Sequence, residues 1–172
     1  MPSYLNAGYI AKQKGRLAYL GALSKDDLET LGFDFIKRQL SGIVKVPENE
    51  KVVPLKTIYE IDDGASEDGS QDQAINVLNI IVFFRTIDDQ AVLGSGSKIS
   101  ISFLNDGTPV GFKVDWPAYR KSPIRTKTLS IENINERLSA LSSSRIGAEE
   151  MTIERFECGY FDRGALLRDS GA

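Results

Sequence analysis

The sequence predicts an α+β domain: an antiparallel sheet of four to five strands packed on one or two helices. Three observations carry this. Residues 74–87 (AINVLNIIVFFRTI) are apolar at both odd and even positions, as a central strand demands. Residues 98–116 hold two alternating runs around Asn105-Asp106-Gly107, and the Asp-Gly step supplies the positive φ that a tight hairpin needs. Helical spacing flanks this block, before it from Ser24 and after it from Ser130. Consecutive strands with a helix on either side read as α+β rather than α/β.

Taken in order, residues 9–20 (YIAKQKGRLAYL) fit a hairpin slightly better than a helix, because Gly8, Gly15 and Gly21 each weaken a helix by up to about 1 kcal/mol. Ser24 opens a clear helix. With Asp27 it forms a capping box in which Asp replaces the usual Glu or Gln. Leu28, Leu31, Phe35, Ile36 and Leu40 make its apolar stripe, and Gly42 supplies the stop. Gly32 weakens that helix, so the stripe must be docked on something.

After Gly42 the period falls to two. Residues 43–46 and 52–61 are rich in Val and Ile, and Pro47 and Pro54 suit an edge strand. The acidic, Gly/Ser-rich run 62–73 is a loop. In 74–87, Val77, Ile81 and Phe83 face one way and Leu78, Ile80, Val82 and Phe84 the other. Such a strand is covered on both sides, or covered on one and dimerised on the other. Asp88-Asp89 turns the chain into a short strand at 90–93, and Gly94-Ser95-Gly96-Ser97 is a second turn. Ile99, Ile101 and Phe103 point inward from 98–104, and Val110, Phe112, Val114 and Trp116 alternate on the return strand, which Pro117 ends. The second helix covers 130–142 with Ser130 as N-cap, and 151–161 reads as a last strand. The predicted organisation is an N-terminal hairpin and helix (1–42) packed on a main domain (43–161). A frayed tail follows (162–172), or the cut end of a longer chain.

Composition excludes several chemistries. The chain has 172 residues, no His and one Cys, which removes Ser-His-Asp and Cys-His centres, His-based zinc sites and an intrachain disulfide. A net charge of −3 argues against generic nucleic-acid binding. The sum hides two opposed patches. Residues 60–73 carry six acids and no base, whereas 113–127 carry Lys113, Arg120, Lys121, Arg125 and Lys127 against Asp115 alone. They pair with each other or face different partners. No stretch reaches the roughly 18 apolar residues of a membrane span. Residues 1–23, broken by Lys12, Lys14 and Arg16, contain no signal-peptide core, and the compartment stays open.

The acidic loop invites a calcium reading, but five residues before Gly64 and Gly69 stand Tyr59 and Gly64, so neither frame begins with an EF-hand ligand. It reads as a solvated loop, with weak irregular calcium binding as the alternative. The GSGS run lacks a third Gly and leads into a strand, so it is a turn rather than a phosphate cradle. Asp88, Asp89 and Asp115 stand in a turn and on an outward face, and nothing makes them converge for carboxylate catalysis. Cys158, among Phe156, Tyr160 and Phe161, reads as a buried, inert thiol. No cofactor or metal ligand set is recognisable.

The most unusual stretch is DWPAYRKSPIR (115–125). Trp116, Tyr119, Arg120 and Arg125 are residue types enriched at binding hot spots, and two prolines hold the chain extended. They are the candidate partner contacts. The alternative is that Trp116 caps the sheet core and the basic residues are solvated or pair with the acidic loop.

The run VLGSGSKISISFLNDGTPVGFKVDWPAYR (92–120), led in by NIIVFFRTIDDQAVLGSG (79–96) and closed by FECGYF (156–161), resembles the hairpins of propeptide-like modules of the PepSY and fungalysin/thermolysin-propeptide group. The resemblance covers about residues 75–161. It implies a cystatin-like sheet around a helix, an extracytoplasmic setting and an inhibitory or chaperone-like role beside a larger domain. Asp88-Asp89 departs from the Asp-Gly expected there. The sequence therefore points to a non-catalytic protein-interaction module that binds a protein partner, or another domain of its own chain, through a sheet edge or face. One alternative is a small-molecule-binding or enzymatic α+β cone with a pocket between sheet and helix. Another is a homodimeric structural protein.

Overall fold

A computed structural model describes residues 21–62, 75–120, 130–143 and 157–165. The expected hairpin at 9–20, the acidic loop from Asp63 onward, Arg125 and most of the expected strand at 151–161 lie outside the described residues. The chain forms two compact units, one of Met1–Ala118 with Gly159–Ala172, the other of Tyr119–Cys158. In the first unit, helix α1 (Lys25–Gln39) precedes strands β1 (Glu50–Asp62), β2 (Ile75–Ile87), β3 (Gln90–Gly94), β4 (Lys98–Phe103), β5 (Pro109–Asp115) and β6 (Tyr160–Asp162). The second unit contains helix α2 (Ile131–Ser143).

The spine of the sheet is β2, the run with no polar face. Along one side β1 pairs with it antiparallel from Glu50↔Ile87 to Asp62↔Ile75, with register shifts at Pro54/Lys56 and Glu60/Ile61. Along the other, β4 pairs from Asn79↔Phe103 to Phe84↔Lys98, and β5 adds antiparallel to β4. The Asp88-Asp89 turn has φ of 48° and 61°. Both positions are left-handed, as a two-residue type I′ hairpin requires. It hands the chain to β3, which pairs with β2 only at Thr86↔Ala91 and Ile87↔Gln90.

Here the sheet departs from the purely antiparallel one expected. On β2 only Arg85 separates the partner of Ala91 from the partner of Lys98, while Val92–Ser97 intervene on the facing chain. That segment leaves the sheet, and its β3 part pairs in parallel with β6 through Val92↔Tyr160, Leu93↔Phe161 and Gly94↔Asp162. The result is a mixed α+β architecture with six strands among the described residues, rather than four or five. A three-residue strand is too short to write a period of two, so the sequence placed its end, Asp162, in the tail.

The core lies between α1 and the odd-numbered row of β2. Leu28, Ile36 and Leu40 of the helix segment pack with Val44, Ile81, Phe83, Ile99, Ile101 and Phe103 in one buried cluster. Gly32 lies close against the sheet: a Cβ there would stand 2.6 Å from Phe83 Cζ. The N-cap is as expected, with Ser24 Oγ accepting from Asp27 N at 3.1 Å and donating to the Asp27 carboxylate. The stop is not. The helix is capped at Leu40, whose N–H donates to Ile36 O, and Gly42 does not adopt the left-handed conformation. The even-numbered row of β2 is also covered: Leu78 and Val82 are buried, Ile80 and Phe84 half-buried. Asn79, fully buried in the odd row, accepts from Leu23 N and donates to Asn105 Oδ1, tying the start of α1 to the β4–β5 turn.

In the second unit α2 begins as expected at Ser130, whose hydroxyl accepts from Asn133 N. The same hydroxyl holds the Glu132 carboxyl below its usual range. Among the described residues no helix is long and apolar enough to cross a membrane.

Candidate functional site

Trp116 follows β5 and turns onto the core. It packs against the α1–sheet cluster and its indole Nε1 donates to Lys45 O at 3.1 Å. Over its ring lies Arg85, 4.1 Å from the centroid. Arg85 is the last polar residue of the core-facing row of β2 and is 1% exposed. Its Nη1 donates to Pro117 O at 2.7 Å, and its Nε lies 3.3 Å from Glu50 Oε2 in a buried ion pair. One cation thus fixes the start of β1, the end of β2 and the chain just past β5. A delocalised, weakly hydrated guanidinium suits this position, since it can stack on a ring and bond in its own plane at once.

Trp116 therefore stands where the core-capping alternative puts it. Tyr119 and Arg120, which open the second unit, are exposed. Arg125 lies outside the described residues. The sequence reading missed Arg85 and Glu50 altogether. Their only signal was a lone arginine at the end of an apolar strand.

A second polar centre holds β6. Asp162 is 6% exposed. Its carboxylate accepts from Ser97 Oγ at 2.9 Å and from Gly164 N at 2.9 Å, while its carbonyl accepts from Gly96 N at 3.1 Å. Ser95 donates to Arg163 O, and Ala165 N donates to Asp115 Oδ2. The GSGS segment is thus more than a turn: it closes around a carboxylate, and a Cβ on Gly96 would fall 2.1 Å from Asp162 Oδ2. Lys98 joins the cluster by donating to the Gly94 and Gly96 carbonyls. Burial holds its ammonium below the usual lysine range, and the Asp162 and Asp115 carboxylates oppose that shift. These bonds tie β6 and the residues after it to the Gly94–Ser97 segment, and the arrangement reads as a clasp.

The third feature is the outer edge of β5, which has β4 as its only neighbour among the described strands. Phe112 is 49% exposed, with its ring 5.7 Å from that of Phe35 on α1, and Lys113 is exposed on the opposite face. β1, which also has a single neighbour among the described strands, is interrupted by Pro54 and two register shifts. A proline and bulges are devices that blunt an edge against further pairing. On β5 the one shift lies at Ser102/Phe103, leaving Gly111–Asp115 in regular register with β4.

Cys158 is exposed, not buried as its aromatic neighbours suggested. Tyr160 and Phe161 are exposed as well, so those aromatics do not mark a core strand. Among the described residues no group of three or more His, Cys, Asp or Glu side chains could hold a metal ion.

Compared with known families, with curated proteins and with solved structures, the chain matches none.

Proposed function

We propose that this chain is a non-catalytic protein-interaction module that receives an extended segment of a protein partner along the outer edge of β5. The observation that carries the reading is that edge itself: a strand in regular register from Gly111 to Asp115 with one neighbour among the described strands, presenting Phe112 and Lys113 on its two faces. An added strand would pair its main chain with N–H and C=O groups along that edge, and alternate side chains would give specificity. Phe112, backed by Phe35, supplies the apolar contact. Trp116 serves by locking the strand end under Arg85, while Tyr119, Arg120 and Arg125 are the contact residues of the segment that follows.

A helix laid across antiparallel strands supports the cystatin-like part of this reading, and with it an inhibitory, propeptide-like role in an extracytoplasmic setting. The filled α1–sheet interface, where Leu28, Ile81, Phe83, Ile99 and Ile101 are fully buried, favours interaction over a ligand pocket between helix and sheet.

The test is selection of displayed peptides on the folded chain, followed by amide hydrogen exchange of the complexes. The reading expects protection concentrated in residues 110–115 and an affinity loss of about tenfold or more in Phe112→Lys. Peptides that bind and leave those amides exchanging freely would overturn it.

A further inference from the structure

Resting on the reading of β5 as a binding edge, we infer that the segment it receives is β5 of a second copy, paired antiparallel about a two-fold axis through Val114. The strand sequence is self-complementary in that register and in no neighbouring one. With the axis at Val114, Lys113 of each copy stands opposite Asp115 of the other, giving two symmetric ion pairs. Moving the axis to Lys113 sets lysine against lysine. Moving it to Asp115 sets aspartate against aspartate, and like charges directly opposite each other destabilise a strand pair. An axis at Phe112 sets Lys113 against Gly111 and Asp115 against Pro109, with no ion pair at all.

Both faces of the sheet agree with this choice. Within one copy Lys98 is already the cross-strand partner of Asp115. The second copy's Lys113 then extends that row as cation, anion, cation across three strands. On the other face Val114 and Trp116 pack on the core cluster and Phe112 on Phe35. The Val114 axis brings the half-exposed Phe112 opposite Trp116 of the second copy, so the apolar row continues across the junction. Aromatic and opposite-charge cross-strand pairs are the contacts that stabilise such a ladder. An isologous pairing closes on itself, which leaves no edge for further copies at this site.

Sedimentation analysis over a range of protein concentrations tests the pairing. The expected result is a monomer–dimer equilibrium that Lys113→Asp weakens at least about tenfold. Mixing Lys113→Asp with Asp115→Lys restores dimer as a heterodimer, because each then meets its opposite. Asp115→Lys loses the bond from Ala165 N and faces Lys98, so a second measurement guards against misfolding. In a Cys158→Ser background, Val114→Cys cross-links into a covalent dimer on mild oxidation and Gly111→Cys does not. A chain that stays monomeric while selected peptides still protect residues 110–115 overturns the inference and leaves the edge reading standing. A dimer indifferent to Lys113→Asp overturns the register. Monomer together with unprotected β5 amides overturns both.

Discussion

Arg85 and Trp116 sit 31 positions apart in sequence, yet the guanidinium lies 4.1 Å from the centre of the indole ring, with Glu50 closing the other side. This corner is buried, so its parts are unequal in what their removal does. Arg85→Ala strands the Glu50 carboxylate and costs about 3 kcal/mol or more of unfolding free energy. The double substitution Glu50→Leu/Arg85→Met removes both charges and costs less than Arg85→Ala alone, despite losing the bond to Pro117 O. Urea unfolding of the single and double variants checks the order. Trp116→Ala costs about 2–3 kcal/mol, since the ring is only partly buried.

Much of this fold is legible in the sequence because its elements announce themselves locally. Ile99, Ile101 and Phe103 alternate and are buried as expected. The Asp88-Asp89 and Asp106-Gly107 turns fall where turn chemistry places them, and the double-sided run 75–87 is the spine. What stayed illegible depends on distant pairs. Nothing near Asp162 says that Ser97, 65 positions away, will donate to it. Nothing in TIYEID or YFD writes a partner. Arg85 reads as a strand-end cation until Trp116 is laid on it. Two glycines in one helical window look alike, although only one touches anything.

The Asp162 clasp is a local lock. Asp162→Ala leaves the fully buried Ser97 hydroxyl and the buried Gly164 N–H without their acceptor, a loss of about 2–3 kcal/mol. Because β6 adds only three backbone pairs, the loss falls on its release and not on the whole sheet. Native-state hydrogen exchange should show residues 159–164 losing protection while 79–84 and 99–103 keep theirs. Ser97→Ala, which removes the hydroxyl's bond to Asp162, gives the same pattern at about 1 kcal/mol.

Cys158 is exposed, so its thiol is open to a reagent without unfolding. Ellman's reagent added to the native chain should label one thiol at a rate close to that of the urea-unfolded chain. A native rate slower by about a hundredfold or more would indicate a protected sulfur.

Gly32 and Gly42 lie at the middle and just past the end of α1, and substitution by alanine should shift stability in opposite directions. At Gly42 a Cβ meets nothing within 4 Å and φ is not left-handed. Gly42→Ala therefore stabilises by about 0.4–1 kcal/mol, through the smaller freedom of the unfolded chain. At Gly32 the same change gains about 1 kcal/mol of helix propensity. However, it drives a methyl to 2.6 Å from Phe83 Cζ and 2.7 Å from Cε2. The Phe83 ring cannot yield: it is fully buried and packs against Phe33 at 5.0 Å between centroids. Overpacking of about 2–3 kcal/mol outweighs the propensity gain, so Gly32→Ala is destabilised by about 1–2 kcal/mol. Thermal unfolding of the two variants beside the parent should bracket it, Gly42→Ala melting above and Gly32→Ala below. Equal shifts in one direction would show that α1 does not rest on Phe83.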